Sequence, residues 1–314
     1  MIVKMHDVIK RYQGTHLALD YLSLEVHPGE VVGLLGPNGA GKTTAIKALV
    51  GLHDIDGGVI EVFGEKQHPK QRALRKKIGL VTQEVTVYED LSAYENLRFV
   101  GRLYGLKGDH LETRIKDVAN LIGLSERLND VPKKYSGGMK RRLNIGCALL
   151  HEPSLIIMDE PTVGIDPQSR NYILSFVKDL AKTTNVSIVY TSHYIEEVEA
   201  LADRVYIIDQ GHIIAQGSVP ALIEQMQGDS IVHITVKQPA ANTLKTMKTL
   251  ADIKEVTLVE NTYQVITQPG AVVLDKILSL CANETILNVT SQQPDLEDVF
   301  LMLTGKTLRD GEVT

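Results

Sequence analysis

Cysteine is scarce. The chain has two in 314 residues, Cys147 and Cys281, far apart and with no metal-type spacing. A disulfide scaffold and a thiolate metal site are therefore excluded, and two buried, reduced thiols in a cytosolic protein are expected. No apolar run approaches the roughly 20 residues of a membrane-spanning helix, so any membrane role needs a partner. The first residues, Met1 to Asp7, carry no signal-peptide pattern. Positive charge is not in excess either. The formal net charge is −6, which argues against a general nucleic-acid-binding surface. From Val219 onward there are 12 Asp and Glu against 7 Lys and Arg, whereas the remainder, 27 against 26, is nearly neutral. Internal repeats, low-complexity segments and sustained heptads are all missing. With 43% hydrophobic and 5% aromatic residues, the chain can build one large domain and one small one.

Among what is present, Gly36-Pro-Asn-Gly-Ala-Gly-Lys-Thr-Thr44 stands out. It fits G-x-x-x-x-G-K-[ST], with Gly36, Gly41, Lys42 and Thr43 at the fixed positions. The apolar run Glu30–Leu35 before it reads as a buried strand. Ala45–Val50 after it reads as a helix that Gly51 can end. In that setting the loop is an anion cradle. Gly36, Gly39 and Gly41, lacking Cβ atoms, let the backbone approach phosphate oxygens. The N–H groups of Asn38, Gly39, Ala40, Gly41, Lys42, Thr43 and Thr44, with the positive end of the following helix, face the negative charge. Lys42 adds a full charge toward the terminal phosphates, and the Thr43 hydroxyl is suited to Mg²⁺.

Around this loop, patterns alternate between strand and helix. An antiparallel hairpin is expected over Ile2–Val26, with Gly14 near its turn. Strands follow at Val59–Phe63, Ile78–Thr82, Ser154–Met158, Val186–Tyr190, Arg204–Ile208 and His212–Ala215. Pro69–Lys77, Pro167–Thr183 and Ile195–Ala202 read as helices. Such alternation implies a mostly parallel sheet covered on both faces. Leu91–Leu150 changes to helical periodicity, as an inserted helical subdomain would, with helices at Ser92–Leu106, Leu111–Ile122 and after Tyr135-Ser-Gly-Gly-Met139. After Gly217 the order is β-α-β-β-α-β, the ferredoxin-like pattern, followed by an amphipathic helix from about Pro294-Asp295. The expected division is 1–218 and 219–314.

Leu155-Ile-Ile-Met-Asp159 is a strand ending in an acid at the rim where ligands bind in parallel sheets. Asp159 is suited to hold Mg²⁺, and Glu160 to orient or deprotonate the attacking water. His193 closes another strand and is the one of ten histidines with that placement after the acidic pair. A hydrogen bond to a γ-phosphate is its functional reading. Gln83 also ends a strand, within reach of Mg²⁺ or the water. Ser136-Gly137-Gly138 precedes a helix and forms a second anion-binding N-terminus. One nucleotide cannot easily use both loops unless two chains meet face to face.

Together these stretches resemble the ABC transporter ATPases over roughly residues 2–217. Gly36–Thr44 looks like the Walker A loop and Leu155–Glu160 like Walker B. Tyr135–Met139 resembles the Leu-Ser-Gly-Gly-Gln signature, departing from it at Tyr135 and Met139. Gly164-Ile-Asp166 is similar to the D-loop, Gln83 and His193 to the Q- and H-loops, and Tyr12 to the aromatic that stacks on adenine. The resemblance implies a P-loop cassette binding ATP and Mg²⁺. It also implies a head-to-tail homodimer in which Ser136 and Gly138 of one chain complete the other's site. A cytosolic motor attached to an integral-membrane permease on the inner face of the membrane is the function implied. Gln293–Phe300, with Leu303-Thr-Gly305, resembles the tails of ATPase subunits from drug, antibiotic or ion exporters. A single-cassette ATP-dependent switch and a regulatory binding module are the alternatives. Glu160 argues against a pure switch, since a module that does not hydrolyse has no need of it.

Overall fold

Strand β1 (Val3–Tyr12) runs antiparallel to β2 (His16–Val26), in a computed structural model that describes residues 1–12, 16–225, 231–268, 271, 273–282, 284–292 and 295–304. The turn expected at Gly14 and the tail residues Gln293, Pro294 and Gly305 lie outside the described residues. All five residues of β3 (Val31–Leu35) are buried, as suits a central strand covered on both faces. It feeds the glycine loop and then α1 (Lys42–Leu49), which Gly51 follows with a φ of +66°. Next come β4 (Gly57–Val62), the short β5 (Glu65–Lys66), α2 (Arg72–Arg75) and β6 (Ile78–Val81). The helix expected over Pro69–Lys77 shrinks to one turn, because Arg75 donates 2.6 Å hydrogen bonds to the Gly51 and Pro69 carbonyls and fixes the flanking chain as loop.

Three helices separate β6 from β7 (Leu155–Asp159): α3 (Ala93–Leu103), α4 (Gly108–Leu121) and α5 (Gly137–Leu149). A capping box starts α3, with Ser92 accepting from the Glu95 N–H and Glu95 accepting from the Ser92 N–H. Then follow α6 (Pro167–Thr183), β8 (Ser187–Ser192), α7 (Ile195–Leu201), β9 (Arg204–Asp209) and β10 (His212–Gly217). These strands make two sheets. One is antiparallel, in the order β2-β1-β4-β5. The other runs β10-β9-β3-β8-β7-β6, parallel throughout except at β10. Their core joins Val3, Met5 and Leu22 to Leu34, Ile157 and the Ala45–Leu49 face of α1. The glycine loop is thus anchored between two sheets.

The chain divides after Val219, with a second compact unit beginning at Pro220. Helix α8 (Val219–Gln225) spans that point. It is short and announced by little more than Pro220 in its first turn, so periodicity does not reveal it. The second unit contains β11 (Ile231–Val236), α9 (Ala241–Met247), β12 (Ile253–Val259), β13 (Thr262–Thr267), α10 (Leu274–Leu280) and β14 (Ile286–Gln292), then α11 (Leu296–Thr304). Its antiparallel sheet runs β12-β13-β11-β14. That is the βαββαβ connection of the ferredoxin-like pattern. A separate core of Val232, Ile234, Tyr263, Val265 and Ile277 fills it.

Candidate functional site

Where β3 gives way to α1, the loop needs glycine for two distinct reasons. Gly41 has a φ of +110°, and a Cβ there would lie 2.5 Å from the Ala18 carbonyl oxygen. At Gly36 a Cβ would lie 2.4 Å from the Ile208 carbonyl oxygen. Glycine at 36 thus lets β9 pass beside the loop. A cavity of about 330 Å³ opens over the loop, lined by residues 37–44 together with Tyr12, His16, Ala18, Gln83 and Glu160. That volume is in the range of small-ligand sites. The Tyr12 ring meets His53 edge-to-face, with centroids 5.9 Å apart.

Lys42 is 5% exposed. Its ammonium donates to the Gly36 carbonyl at 2.6 Å and to Pro37 at 3.2 Å, and lies 3.4 Å from Glu160 Oε1. Burial pushes its pKa below the ordinary lysine value, with the Glu160 charge pulling the other way. Thr43 Oγ1 donates to Asp159 Oδ2 at 3.0 Å. Parallel pairing of β7 and β8 sets Asp159 opposite Thr191. The Thr191 hydroxyl donates to Asp159 Oδ1 at 2.8 Å and accepts from the Glu160 N–H at 2.9 Å. One hydroxyl thereby orients both acids.

Glu160 itself has a φ of +47°, a conformation that costs a non-glycine residue roughly 1 kcal/mol or more and recurs at functional sites. The turn aims its carboxylate into the cavity. Gln83 Nε2 donates to Oε2 at 3.3 Å, and His193 Nδ1 lies 3.4 Å from the same oxygen. Polar contact with His193, then the charge of Lys42, hold the Glu160 carboxyl below the usual carboxylate range against the effect of burial. Lys42, Thr43, Gln83, Asp159, Glu160 and His193 are thus one cluster.

Other candidates stand apart from it. Ser136, Gly137, Gly138 and Asp166 are not in the cavity wall. Ser136 caps α5, accepting from the Met139 N–H at 3.2 Å. Tyr135, where the signature usually has leucine, is buried and donates to the Arg127 carbonyl at 2.6 Å. Asp166 caps α6, accepting from the Ser169 N–H, which holds its carboxyl below the usual range.

Several residues that hold the site together escaped the sequence. Arg141 is 2% exposed and donates to the Thr82 and Gln83 carbonyls. Asn144 Oδ1 accepts from the Thr86 hydroxyl at 3.0 Å. The loop carrying Gln83 is therefore fastened to α5. Glu197 is buried beside β8 and accepts from Thr162, Tyr190 and Ser192. In sequence these look like surface polar residues on amphipathic helices, and only the tertiary pairing reveals them.

The sequence profile of the ABC transporter family matches residues 19–163. The linearmycin resistance ATP-binding protein LnrL of Bacillus subtilis is 44% identical over 308 residues, 96% of this chain and 98% of that protein. The Nod factor export ATP-binding protein I of Cupriavidus metallidurans is 35% identical over 311 residues, 98% of this chain and 99% of that protein. Among solved structures, cbiO1 from Clostridium perfringens, part of the ABC transporter complex cbiONQ, aligns with a TM-score of 0.65 and 26% identity, covering 69% of this chain and 88% of that one. With the phosphate loop, the paired acids and full-length similarity in agreement, the chain belongs to the ABC transporter family, as an ATP-binding subunit that hydrolyses ATP.

Proposed function

We propose that this chain is the motor of an exporter, attached to a separate membrane permease on the cytoplasmic side and working as a head-to-tail pair. The observation that carries the reading is the convergence of Gln83, His193 and Lys42 on the strained Glu160 beside the phosphate loop. Lys42 and the loop amides bind the phosphates, and Tyr12 stacks on the base. Glu160, kept charged at neutral pH by its neighbours, accepts a hydrogen bond from the attacking water and orients it. His193 and Gln83 hold the γ-phosphate and water against it.

Thr43 and Asp159 offer hard oxygen donors 3.0 Å apart, with the Gln83 amide near, and this set fits Mg²⁺. Among the described residues no group of three or more His, Cys, Asp or Glu could hold a metal. That suits an ion whose other ligands are phosphate and water. When bound, Mg²⁺ neutralises charge on the β- and γ-phosphate oxygens.

Ser136 and Gly138, outside this chain's own cavity, are assigned to the partner chain's ATP, with Asp166 at the same contact. Support comes from the exposed start of α5, a 13-residue helix whose positive end suits an anion. The permease is assigned to the surface beside Gln83, where Tyr88, Phe99 and Leu103 are exposed and the Tyr88 and Phe99 rings meet edge-to-face. No helix among the described residues is long and apolar enough to cross a membrane. Export is supported by relatives named for antibiotic resistance and Nod factor export.

The test is Glu160→Gln, followed by steady-state ATPase and by size-exclusion chromatography in Mg-ATP. Turnover should fall about 10²–10⁴-fold while binding survives, and an ATP-bound dimer should accumulate. Near-normal turnover would remove Glu160 from the mechanism.

A further inference from the structure

The buried carboxylate of Glu197, in α7, takes no part in the chemistry just assigned. Its side chain is 2% exposed. Three hydroxyls converge on its Oε2: Thr162 at 2.8 Å, Ser192 at 2.8 Å and Tyr190 at 3.0 Å. Its other oxygen lies 3.4 Å from Arg170 Nε. These donors come from three separate places. Thr162 is two residues past Glu160, in the turn after β7. Ser192 immediately precedes His193 and also accepts from the Tyr194 N–H at 2.9 Å, so it fixes the chain on both sides of His193. Arg170 stands on the first turns of α6, the helix that Asp166 caps, and its guanidinium lies 4.0 Å over the Tyr194 ring. The Tyr194 ring in turn is 4.1 Å from that of His193.

One oxygen thus anchors both members of the Glu160–His193 pair, and the other answers to the start of α6. Stability alone is a weak reason for this arrangement, because desolvation of a buried ion pair offsets much of its attraction. What the carboxylate supplies is geometry. We propose that Glu197 is a positioning residue that keeps His193 in register with Glu160 and makes that register follow the first turn of α6. A shift of Asp166 against a partner chain then reaches His193 through Arg170 and Tyr194.

The inference rests on the assignment of His193 to hydrolysis, and the experiment separates the two. In the full chain, kcat and KM for ATP and the affinity for a fluorescent ATP analogue are measured for His193→Ala, Glu197→Gln and the double variant. Glu197→Gln keeps the size and one acceptor oxygen but sets an NH₂ against the hydroxyls or Arg170. Its kcat should fall roughly 10-fold or more, with KM and analogue affinity within about 2-fold of wild type. The double variant should be no more than about 2-fold slower than His193→Ala, since the two residues act as one unit. A purely structural Glu197 would give multiplied losses or a raised KM, and either result overturns the inference. A wild-type kcat in Glu197→Gln does the same. A wild-type kcat in His193→Ala removes the His193 assignment, and the inference with it. Should Glu197→Gln not fold, Arg170→Met decides, because it removes the guanidinium that faces Glu197 and covers the Tyr194 ring. Non-multiplicative loss with His193→Ala supports the proposal, and an unaffected or multiplicative result overturns it.

Discussion

At the scale of single residues, the site's charges pull in opposite directions. Burial lowers the Lys42 pKa, and His193 with Lys42 lowers that of Glu160. For a carboxyl lowered on folding, the stability it contributes is complete above its unfolded pKa and is lost as pH falls through the folded value. The advantage of wild type over Glu160→Gln in urea midpoint should therefore be flat between about pH 6 and 8 and decline only below about pH 4. A decline already at neutral pH would contradict the low carboxyl. Lys42→Ala has a different signature. Removing the ammonium takes a charge from bound phosphate, so nucleotide affinity should drop and no ATP-induced dimer should appear on size exclusion. Lys42, Thr43, Asp159 and Glu160 were legible in the sequence because short-range spacing defines them. Thr191 was not, because its tie to Asp159 depends on β7–β8 register, which a single sequence does not display.

At the scale of elements, α5 is fastened to its surroundings on two sides. A Cβ on Gly138 would lie 2.3 Å from Ser169 Cβ on α6, so this glycine serves helix contact in addition to any phosphate it meets. Gly138→Ala should cost about 1–3 kcal/mol of unfolding free energy by overpacking, and Ser169→Gly should restore most of it. Urea titration of the single and double variants checks both statements, and an undiminished loss in the double variant would rule out that contact as the cause. Arg141→Met leaves the Thr82 and Gln83 carbonyls without their buried donor. The expected penalty is again about 1–3 kcal/mol, read as a lowered melting temperature. Most elements were foreseen, since hydrophobic period separates strands from helices. Three fell short for local reasons, β5 among them because two residues show no alternation. Hydrogen bonds from Arg75 hold the α2 region to one turn, and α8 is too short to show a period.

On the scale of the whole molecule, the division after Val219 predicts that a chain ending there folds and binds ATP. Fluorescent-nucleotide titration of such a fragment is the check, and a folded fragment without affinity would contradict it. We propose a dimer-contact or regulatory role for the second unit, motivated by its concentrated acidity, 12 Asp and Glu against 7 Lys and Arg from Val219 onward. Its strand order could not be read in advance, although the element order could. One further consequence belongs to the first unit. Strand β6 is last in its sheet and pairs with β7 alone, and α3, α4 and α5 lie between the two. The segment from β6 to β7 hangs from the sheet's rim, so replacing it interrupts no interior ladder. A lineage with this architecture can therefore exchange most of that one contiguous block of the gene while Lys42, Thr43, Asp159 and Glu160 stay where they are, provided each new block again supplies Gln83 at its start and Ser136–Gly138 at the head of α5.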